Sequence, residues 1–104
     1  MKNIYLFGEC MIELMPAAQD QSSTLMKQSF AGDVFNTAVY LKRTFADMNV
    51  HLVTAVGQDP FSLDMLQYFE NENIGCDFVF KSTTKIPGLY SIQLDEQGER
   101  SFTY

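Results

Sequence analysis

The sequence predicts an α/β fold with a separate antiparallel hairpin at its end, and three observations support this. Three apolar runs, "NIYLFG", "NVHLVTAVG" and "CDFVFK", are separated by stretches with helical periodicity, which is typical of parallel βαβ units. These runs are nearly all apolar and do not alternate, as expected for strands that helices cover. From residue 88 onward polar and apolar residues alternate instead, which indicates a half-exposed hairpin.

The composition limits the classes of function. The chain has 104 residues, 46% of them hydrophobic, enough for one domain with a core. Its net charge is -6 and its 7 basic residues are scattered, which argues against a nucleic-acid or anionic-membrane surface. No apolar run approaches the ~20 residues of a membrane helix. The N-terminus also lacks the flanks of a signal peptide. We therefore expect a cytoplasmic protein that binds neither membrane nor nucleic acid.

Metal and thiol chemistry are not predicted. Cys10 and Cys76 are far apart, without a CxxC pattern, and His51 is the single histidine. The sequence therefore offers too few clustered Cys and His residues for a structural zinc site, and no Cys close to the single His for a Cys–His nucleophile. A disulfide between the cysteines stays open, but two free thiols in a reducing cytoplasm fit better.

The first half of the chain predicts a strand, two extended pieces and a helix. The apolar run at 3–8 ends at Gly8, and a second strand covers 10–15. A polar loop at 17–23 leads to a third extended piece at 24–30. Apolar residues at helical spacing then predict a helix over 33–47, with Asp33 as its N-cap.

The next segment predicts a further strand–helix–strand unit. A buried strand at 49–57 contains His51, which we interpret as a strand-end residue. Pro60 suits the first turn of a helix that runs to about 71–73, with Asp59 capping it. A short strand at 76–81 follows.

The hairpin at the end of the chain makes a specific prediction about register. A three-residue loop at 96–98, with Gly98 in the left-handed region, gives a type I turn with a G1 bulge. Ile92 then lies opposite Phe102, and Tyr90 opposite Tyr104. The two phenols would share one face of the sheet.

Six short segments, in this order, carry a family resemblance: "GECMIEL", "FAGDVFNTAVYLKR", "VTAVGQDPFS", "NENIGCDFV", "PGLYSI" and "GERSFTY". With them the sequence resembles the N-terminal third of ribokinase-type (PfkB) carbohydrate kinases. The last two segments favour the branch that acts on a keto-deoxy sugar acid. Because the chain stops at Tyr104 inside a strand pattern, we expect it to be part of a longer protein.

The resemblance implies a ribokinase-like fold. Residues 1–104 would be the N-terminal part of a doubly wound, three-layer α/β sheet with a small β-sheet lid over the sugar site. The lid strands would lie within 10–30 and 88–104, and the α/β core would comprise 1–9 and 31–82.

The resemblance also implies that the start of the first helix binds sugar. Gly32 would let the backbone approach the ligand, because it has no Cβ. Asp33 would accept hydrogen bonds from hydroxyls, and Asn36 would both donate and accept. The alternative is that Asp33 only caps the helix and Asn36 only faces solvent. Ala31 stands where the family usually has a first glycine.

The lid supplies the other expected sugar contacts. Tyr90 and Tyr104 match lid tyrosines that contact the acid sugar in this branch, and their alternative role is sheet packing. Glu13 matches an acid that reaches a sugar hydroxyl, or it is a solvated lid residue. Glu9 is a weaker candidate at a strand end. Arg100 would attract a substrate carboxylate, or it is a surface arginine.

By this resemblance the parent protein would transfer the γ-phosphate of ATP, with Mg²⁺, to the terminal hydroxyl of 2-dehydro-3-deoxy-D-gluconate. The family's Gly-Ala-Gly-Asp stretch, which supplies the catalytic base, is absent from these residues, as are Walker and GxGxxG motifs. We therefore expect no catalytic residue in this chain and no activity from it alone. The alternatives are a kinase for a neutral sugar such as fructose, and a non-catalytic sugar-binding or dimerisation module. A homo-oligomer through the lid is a further expectation.

Overall fold

The computed structural model describes residues 2–17 and 25–104, which form two β-sheets and two helices. The elements in chain order are β1 (Asn3–Phe7), β2 (Met11–Pro16), β3 (Met26–Ala31), α1 (Asp33–Thr44), β4 (Asn49–Val56), α2 (Pro60–Asn71), β5 (Val79–Lys81), β6 (Leu89–Leu94) and β7 (Arg100–Thr103). Most of the polar loop predicted at 17–23 lies outside the described residues. Neither helix is long and apolar enough to cross a membrane.

The first sheet has the order β1-β4-β5, and all its pairs are parallel, as the βαβ pattern predicted. Both helices pack on the same face of β4, where they enclose the main core. The largest buried side chains there are Phe35 from α1, Leu52 from β4, and Met65 and Phe69 from α2. The rings of Phe35 and Phe69 lie 5.3 Å apart, so the two helices meet over the sheet.

The prediction that these apolar strands are buried under helices is wrong for one face of the sheet in the described residues. Burial alternates along β1, and Tyr5 and Phe7 are 47% and 74% exposed. Phe78, just before β5, and Phe80, within β5, are also exposed, and the ring of Phe78 contacts that of Tyr5. The physical reason is that α1 and α2 cover one face only. The runs read as continuously apolar because aromatic residues occupy the second face of the sheet, which no other described element covers.

The N-cap of helix α1 lies one residue earlier than the sequence predicted. Gly32, not Asp33, is the N-cap, with φ 123° and ψ 147°, and no side chain among the described residues caps this helix. Only glycine adopts this backbone conformation readily. A Cβ at Gly32 would also lie 3.0 Å from the carbonyl oxygen of Glu9. Asp33 is therefore the first helical residue, and its carboxylate is not used as a cap.

Helix α1 also ends earlier, at Thr44 rather than near residue 47. Lys42 Nζ donates to the carbonyl oxygens of Ala46 (2.9 Å) and Met48 (2.8 Å) just beyond the helix. These bonds hold the segment that follows the helix and give its carbonyl groups a partner outside the helix.

Helix α2 confirms its predicted cap. The Asp59 carboxylate accepts from Ser62 N at 3.2 Å and from Ser62 Oγ at 2.7 Å. The Ser62 hydroxyl oxygen in turn accepts from Gly57 N at 2.7 Å. This small network fixes the turn between β4 and α2. At the far end, the Arg43 guanidinium pairs with the Glu72 carboxylate and links the ends of α1 and α2.

The second sheet has the order β3-β2-β6-β7, with β2 antiparallel to β3 and parallel to β6. The predicted hairpin register is confirmed, since Ile92 pairs with Phe102. Asp95 N donates to the Glu99 carbonyl oxygen at 3.0 Å, and Gly98 has φ 80°. Ile12 of β2 belongs to the main core, whereas Ile92 lies in a second, smaller cluster.

His51 is not at a strand end, contrary to the sequence interpretation. It is the third residue of the eight-residue β4. Its ring stacks on Tyr5, with centroids 4.9 Å apart, and its Nε2 lies 3.2 Å from Asn3 Oδ1. Cys10 and Cys76 are free thiols, so the open disulfide does not form.

Candidate functional site

A cleft of about 380 Å³ lies between the start of α1 and the β6–β7 hairpin. The described residues that line it are Glu9, Met11, Gly32, Asp33, Val34, Asn36, Tyr90, Phe102 and Tyr104. They come from the segments that follow β1 and β3, from the start of β2, and from α1 and the hairpin. Six of the eight candidate residues named from the sequence thus share one cleft, whereas Glu13 and Arg100 do not line it.

The start of α1 forms one wall of the cleft. Asp33 and Asn36 are both exposed, one helical turn apart. The backbone N–H of Asn36 donates to the Gly32 carbonyl oxygen at 2.8 Å and closes the first helical turn. Because Asp33 caps nothing, its carboxylate is available to accept hydrogen bonds from a ligand. It also lies where the helix dipole favours a negative charge.

The hairpin forms the opposite wall. The ring of Tyr90 lies 5.6 Å from that of Tyr104, at 36°, and 6.1 Å from that of Phe102. Tyr90 is 9% exposed, whereas Tyr104 is 82% exposed. The phenols lie side by side as the register predicted, but only Tyr90 is held in place by its surroundings.

Tyr90 is hydrogen-bonded on the side of β2. Its hydroxyl donates to Glu13 Oε1 at 2.7 Å. Burial and this contact with a carboxylate raise the pKa of Tyr90 well above its ordinary value. The phenol therefore stays protonated at any physiological pH.

Glu13 lies beside Tyr90 on the neighbouring strand, since β2 and β6 pair these two residues. Its second oxygen, Oε2, accepts from Ser29 Oγ at 2.8 Å. Both carboxylate oxygens thus already hold a protein hydroxyl. Arg100 is exposed on β7, opposite Leu94, and is not among the described residues of the cleft wall.

Three residues of the cleft wall, Met11, Val34 and Phe102, were not predicted from the sequence as site residues. The hairpin register already placed Phe102 on the face of Tyr90, so that signal was present. Met11 pairs with Ala31 across β2 and β3, and this pairing has no local signature in the sequence. Val34 packs directly against the backbone of Gly8, since the Cβ of an alanine at Gly8 would lie only 2.6 Å from Val34 Cβ. This contact between residues far apart in sequence brings Val34 to the cleft.

The chemistry of the wall is acidic and rich in hydrogen-bond acceptors. Glu9 and Asp33 contribute carboxylates, and Asn36 contributes an amide that donates and accepts. None of the described residues that line the cleft is Lys or Arg. The described residues also contain no group of three or more His, Cys, Asp or Glu side chains placed to hold a metal ion. Such a wall can bind hydroxyl groups through its carboxylates and its amide.

Comparison with known proteins gives the family. The model of the "pfkB family carbohydrate kinase" matches residues 1–104, the whole chain. The chain belongs to this family. It is 44% identical to the 2-dehydro-3-deoxygluconokinase of Haemophilus influenzae over 108 aligned positions, which cover 100% of this chain and 32% of that protein. It is 42% identical to the Dickeya dadantii protein of the same name over 105 aligned positions, which cover 99% of this chain and 32% of the relative.

Solved structures agree with the fold. The 2-dehydro-3-deoxygluconokinase of Thermotoga maritima superposes with a TM-score of 0.88 at 17% identity, over 100% of this chain and 32% of that one. A fructokinase from Vibrio cholerae gives 0.83 at 28% identity, over 99% and 33%. An uncharacterized sugar kinase of Pyrococcus horikoshii, solved with ATP, gives 0.83 at 25% identity, over 95% and 32%. The predicted family and ribokinase-like fold class are confirmed, and this chain spans about a third of the length of its curated relatives.

Proposed function

We propose that this chain supplies the sugar-binding part of a kinase that transfers the γ-phosphate of ATP to the terminal hydroxyl of 2-dehydro-3-deoxy-D-gluconate. The observation that carries the proposal is the shared cleft of Asn36 and Tyr90, which lie on helix α1 and strand β6 and are far apart in sequence. The two curated relatives described above support the choice of substrate.

The cleft residues would divide the recognition of the sugar among them. The Asp33 carboxylate would accept from one hydroxyl, and the Asn36 amide would accept from one and donate to another. Gly32 would allow the ligand to approach the backbone closely. Tyr90 and Tyr104 would cover the sugar from the hairpin side and exclude water. A ligand that lacks a matching hydroxyl would leave buried polar groups unpaired, which is a strong basis for discrimination.

ATP and Mg²⁺ would be held by residues outside this chain. The sequence contains no glycine-rich phosphate loop of the P-loop or dinucleotide type, and the described residues contain no cluster of acids placed for a metal ion. The general base that takes the hydroxyl proton would come from the family's Gly-Ala-Gly-Asp stretch, which this sequence lacks. In this proposal residues 10–30 and 88–104 act as a lid, and 1–9 and 31–82 act as the core beneath it.

A coupled assay of ATP consumption on the parent protein tests the proposal. We expect turnover of 2-dehydro-3-deoxy-D-gluconate with kcat/KM at least about a hundredfold above that for fructose, because a polar site rejects ligands that leave its groups unpaired. Asn36→Ala should raise KM, and Gln67→Ala, a substitution on the exposed face of α2, should not. Equal kcat/KM for the two sugars would refute the sugar-acid specificity, and no phosphorylation of any sugar would refute the kinase.

A neutral sugar is the second candidate, and one observation favours it. The cleft wall carries the carboxylates of Glu9 and Asp33 and, among its described residues, no cationic side chain to pair with a sugar acid. The fructokinase of Vibrio cholerae shares the fold. The same assay decides between the two sugars. Size-exclusion chromatography tests the remaining prediction, a homo-oligomer formed through the lid sheet.

A further inference from the structure

Tyr90 and Glu13 form a pair whose hydrogen-bond direction is fixed. The Tyr90 hydroxyl donates to Glu13 Oε1 at 2.7 Å, and Ser29 Oγ donates to Glu13 Oε2 at 2.8 Å. An ionised carboxylate can only accept, and each hydroxyl has a single proton to give. Both protons are therefore committed to Glu13.

This direction decides what the phenol can offer to anything in the cleft. With its proton given to Glu13, the Tyr90 oxygen keeps only lone pairs, so it acts as an acceptor. An acceptor of this kind pairs with a hydroxyl or ammonium of a ligand, and it repels a carboxylate or a carbonyl oxygen. Hydrogen bonds to a charged acceptor are also stronger than neutral ones, so the arrangement resists rotation of the hydroxyl.

The surroundings hold the pair in place. Glu13 and Tyr90 are register partners on β2 and β6, and Glu13 and Ser29 are register partners on β2 and β3. The three side chains thus point to one face of the sheet, across three neighbouring strands. The ring contacts with Phe102 and Tyr104 fix Tyr90 from the β7 side.

We propose that Glu13 is a positioning residue that binds the Tyr90 proton and so makes the phenol oxygen an acceptor for a hydroxyl group of the sugar. This differs from the expectation that Glu13 itself touches the sugar, and it rests on the proposed function only for the nature of the ligand. A sugar acid would then place its hydroxyl-bearing carbons at Tyr90 and its carboxylate away from Tyr90 and Asp33.

Nuclear magnetic resonance of the unliganded chain tests the pair without any ligand. Tyrosine labelled with ¹³C at Cζ gives a resonance for each of the 5 tyrosines, and Tyr90→Phe identifies the one that belongs to Tyr90. We expect Glu13→Ala to shift the Tyr90 resonance and Glu13→Gln to shift it less, because the amide oxygen still accepts. Ser29→Ala leaves the Tyr90 bond in place and should shift it least. If Glu13→Ala leaves the resonance unmoved, the proposal is overturned.

A double-mutant cycle on binding of 2-dehydro-3-deoxy-D-gluconate tests the role, with calorimetry as the readout and thermal unfolding as the control for folding. We expect Glu13→Ala to raise Kd about five- to tenfold, a loss typical of one hydrogen bond, and Glu13→Gln to restore most of it. The double variant with Tyr90→Phe should bind no more weakly than Tyr90→Phe alone, because Glu13 acts through Tyr90.

The two proposals fail in different ways. Additive losses in the cycle would show that Glu13 contacts the sugar directly and would overturn the positioning role, with the proposed function intact. If the unmodified chain binds fructose but not the sugar acid, the cycle is measured with fructose, since that result refutes only the substrate. If it binds neither, the role of Tyr90 toward a sugar is overturned together with the proposed function, whatever the resonance shows.

Discussion

Gly32→Ala should destabilise this chain more than Gly98→Ala, the substitution of the other described glycine that has a positive φ. Gly32 has φ 123° and ψ 147°, a region in which a residue with a Cβ costs roughly 1–3 kcal/mol. The new Cβ would also lie 3.0 Å from the carbonyl oxygen of Glu9, an atom of the backbone that cannot turn aside. Overpacking of this kind typically costs another ~1–3 kcal/mol.

The alanine also restricts the unfolded chain, which returns about 0.4–1 kcal/mol to the folded state. The net loss should therefore be about 3 kcal/mol, equivalent to a fall in Tm of at least ~10 °C for a domain of this size. Gly98→Ala is the matched control, since Gly98 also has a positive φ of 80° but a Cβ there meets nothing within 4 Å. It should lose about 1 kcal/mol or less.

Urea unfolding followed by circular dichroism measures both variants at equal protein concentration, with the slope m checked for constancy. Because Gly32 precedes Asp33 and Asn36, the variant should also bind the sugar more weakly, even in conditions where it is fully folded. If Gly32→Ala costs no more free energy of unfolding than Gly98→Ala, the close approach to Glu9 has no energetic consequence and the reasoning is refuted.

Three further predictions concern the helix starts and the thiols. Asp33→Asn should weaken sugar binding about tenfold in calorimetry. It should change the free energy of unfolding by less than about 1 kcal/mol, because the carboxylate caps nothing. A large loss of stability would show a structural role instead. Ser62→Ala should cost about 1–3 kcal/mol in urea unfolding, since it leaves the buried N–H of Gly57 without its acceptor, and a loss below ~0.5 kcal/mol would contradict this. Burial, aided by the charge of Glu9, raises the pKa of the Cys10 thiol to about 12. Burial also raises the pKa of Cys76, but this thiol is only partly buried. At pH 8 iodoacetamide should therefore label Cys76 first, and mass spectrometry that finds equal labelling of Cys10 would refute the burial of Cys10.

Local chemistry predicted much of the candidate site. The β6–β7 register followed from the loop at 96–98 and Gly98, because turn type and strand pairing are coupled over a few residues. The Asp59 cap of α2 followed from a side chain that bonds three residues ahead. Such features depend on neighbours in sequence, so a single sequence suffices to predict them.

The N-cap of α1 was predicted one residue too late, and the reason is not local. Asp33 has the right side chain for a cap, and sequence preference alone selects it. The chain instead turns at Gly32. At this point, between β3 and α1, its backbone passes close to the backbone of Glu9, which follows β1. Only the packed structure contains that contact.

By itself the sequence determined the order of strands and helices, the hairpin register and the family, since each is encoded in short-range pattern or in motifs. Only the tertiary structure decided that one face of the β1-β4-β5 sheet is covered by helices in the described chain and that Glu13 binds Tyr90 rather than lining the cleft. Both depend on pairings between residues far apart in sequence. The hydrogen bond between Glu13 and Tyr90, for example, spans 77 positions, a distance over which no local preference acts.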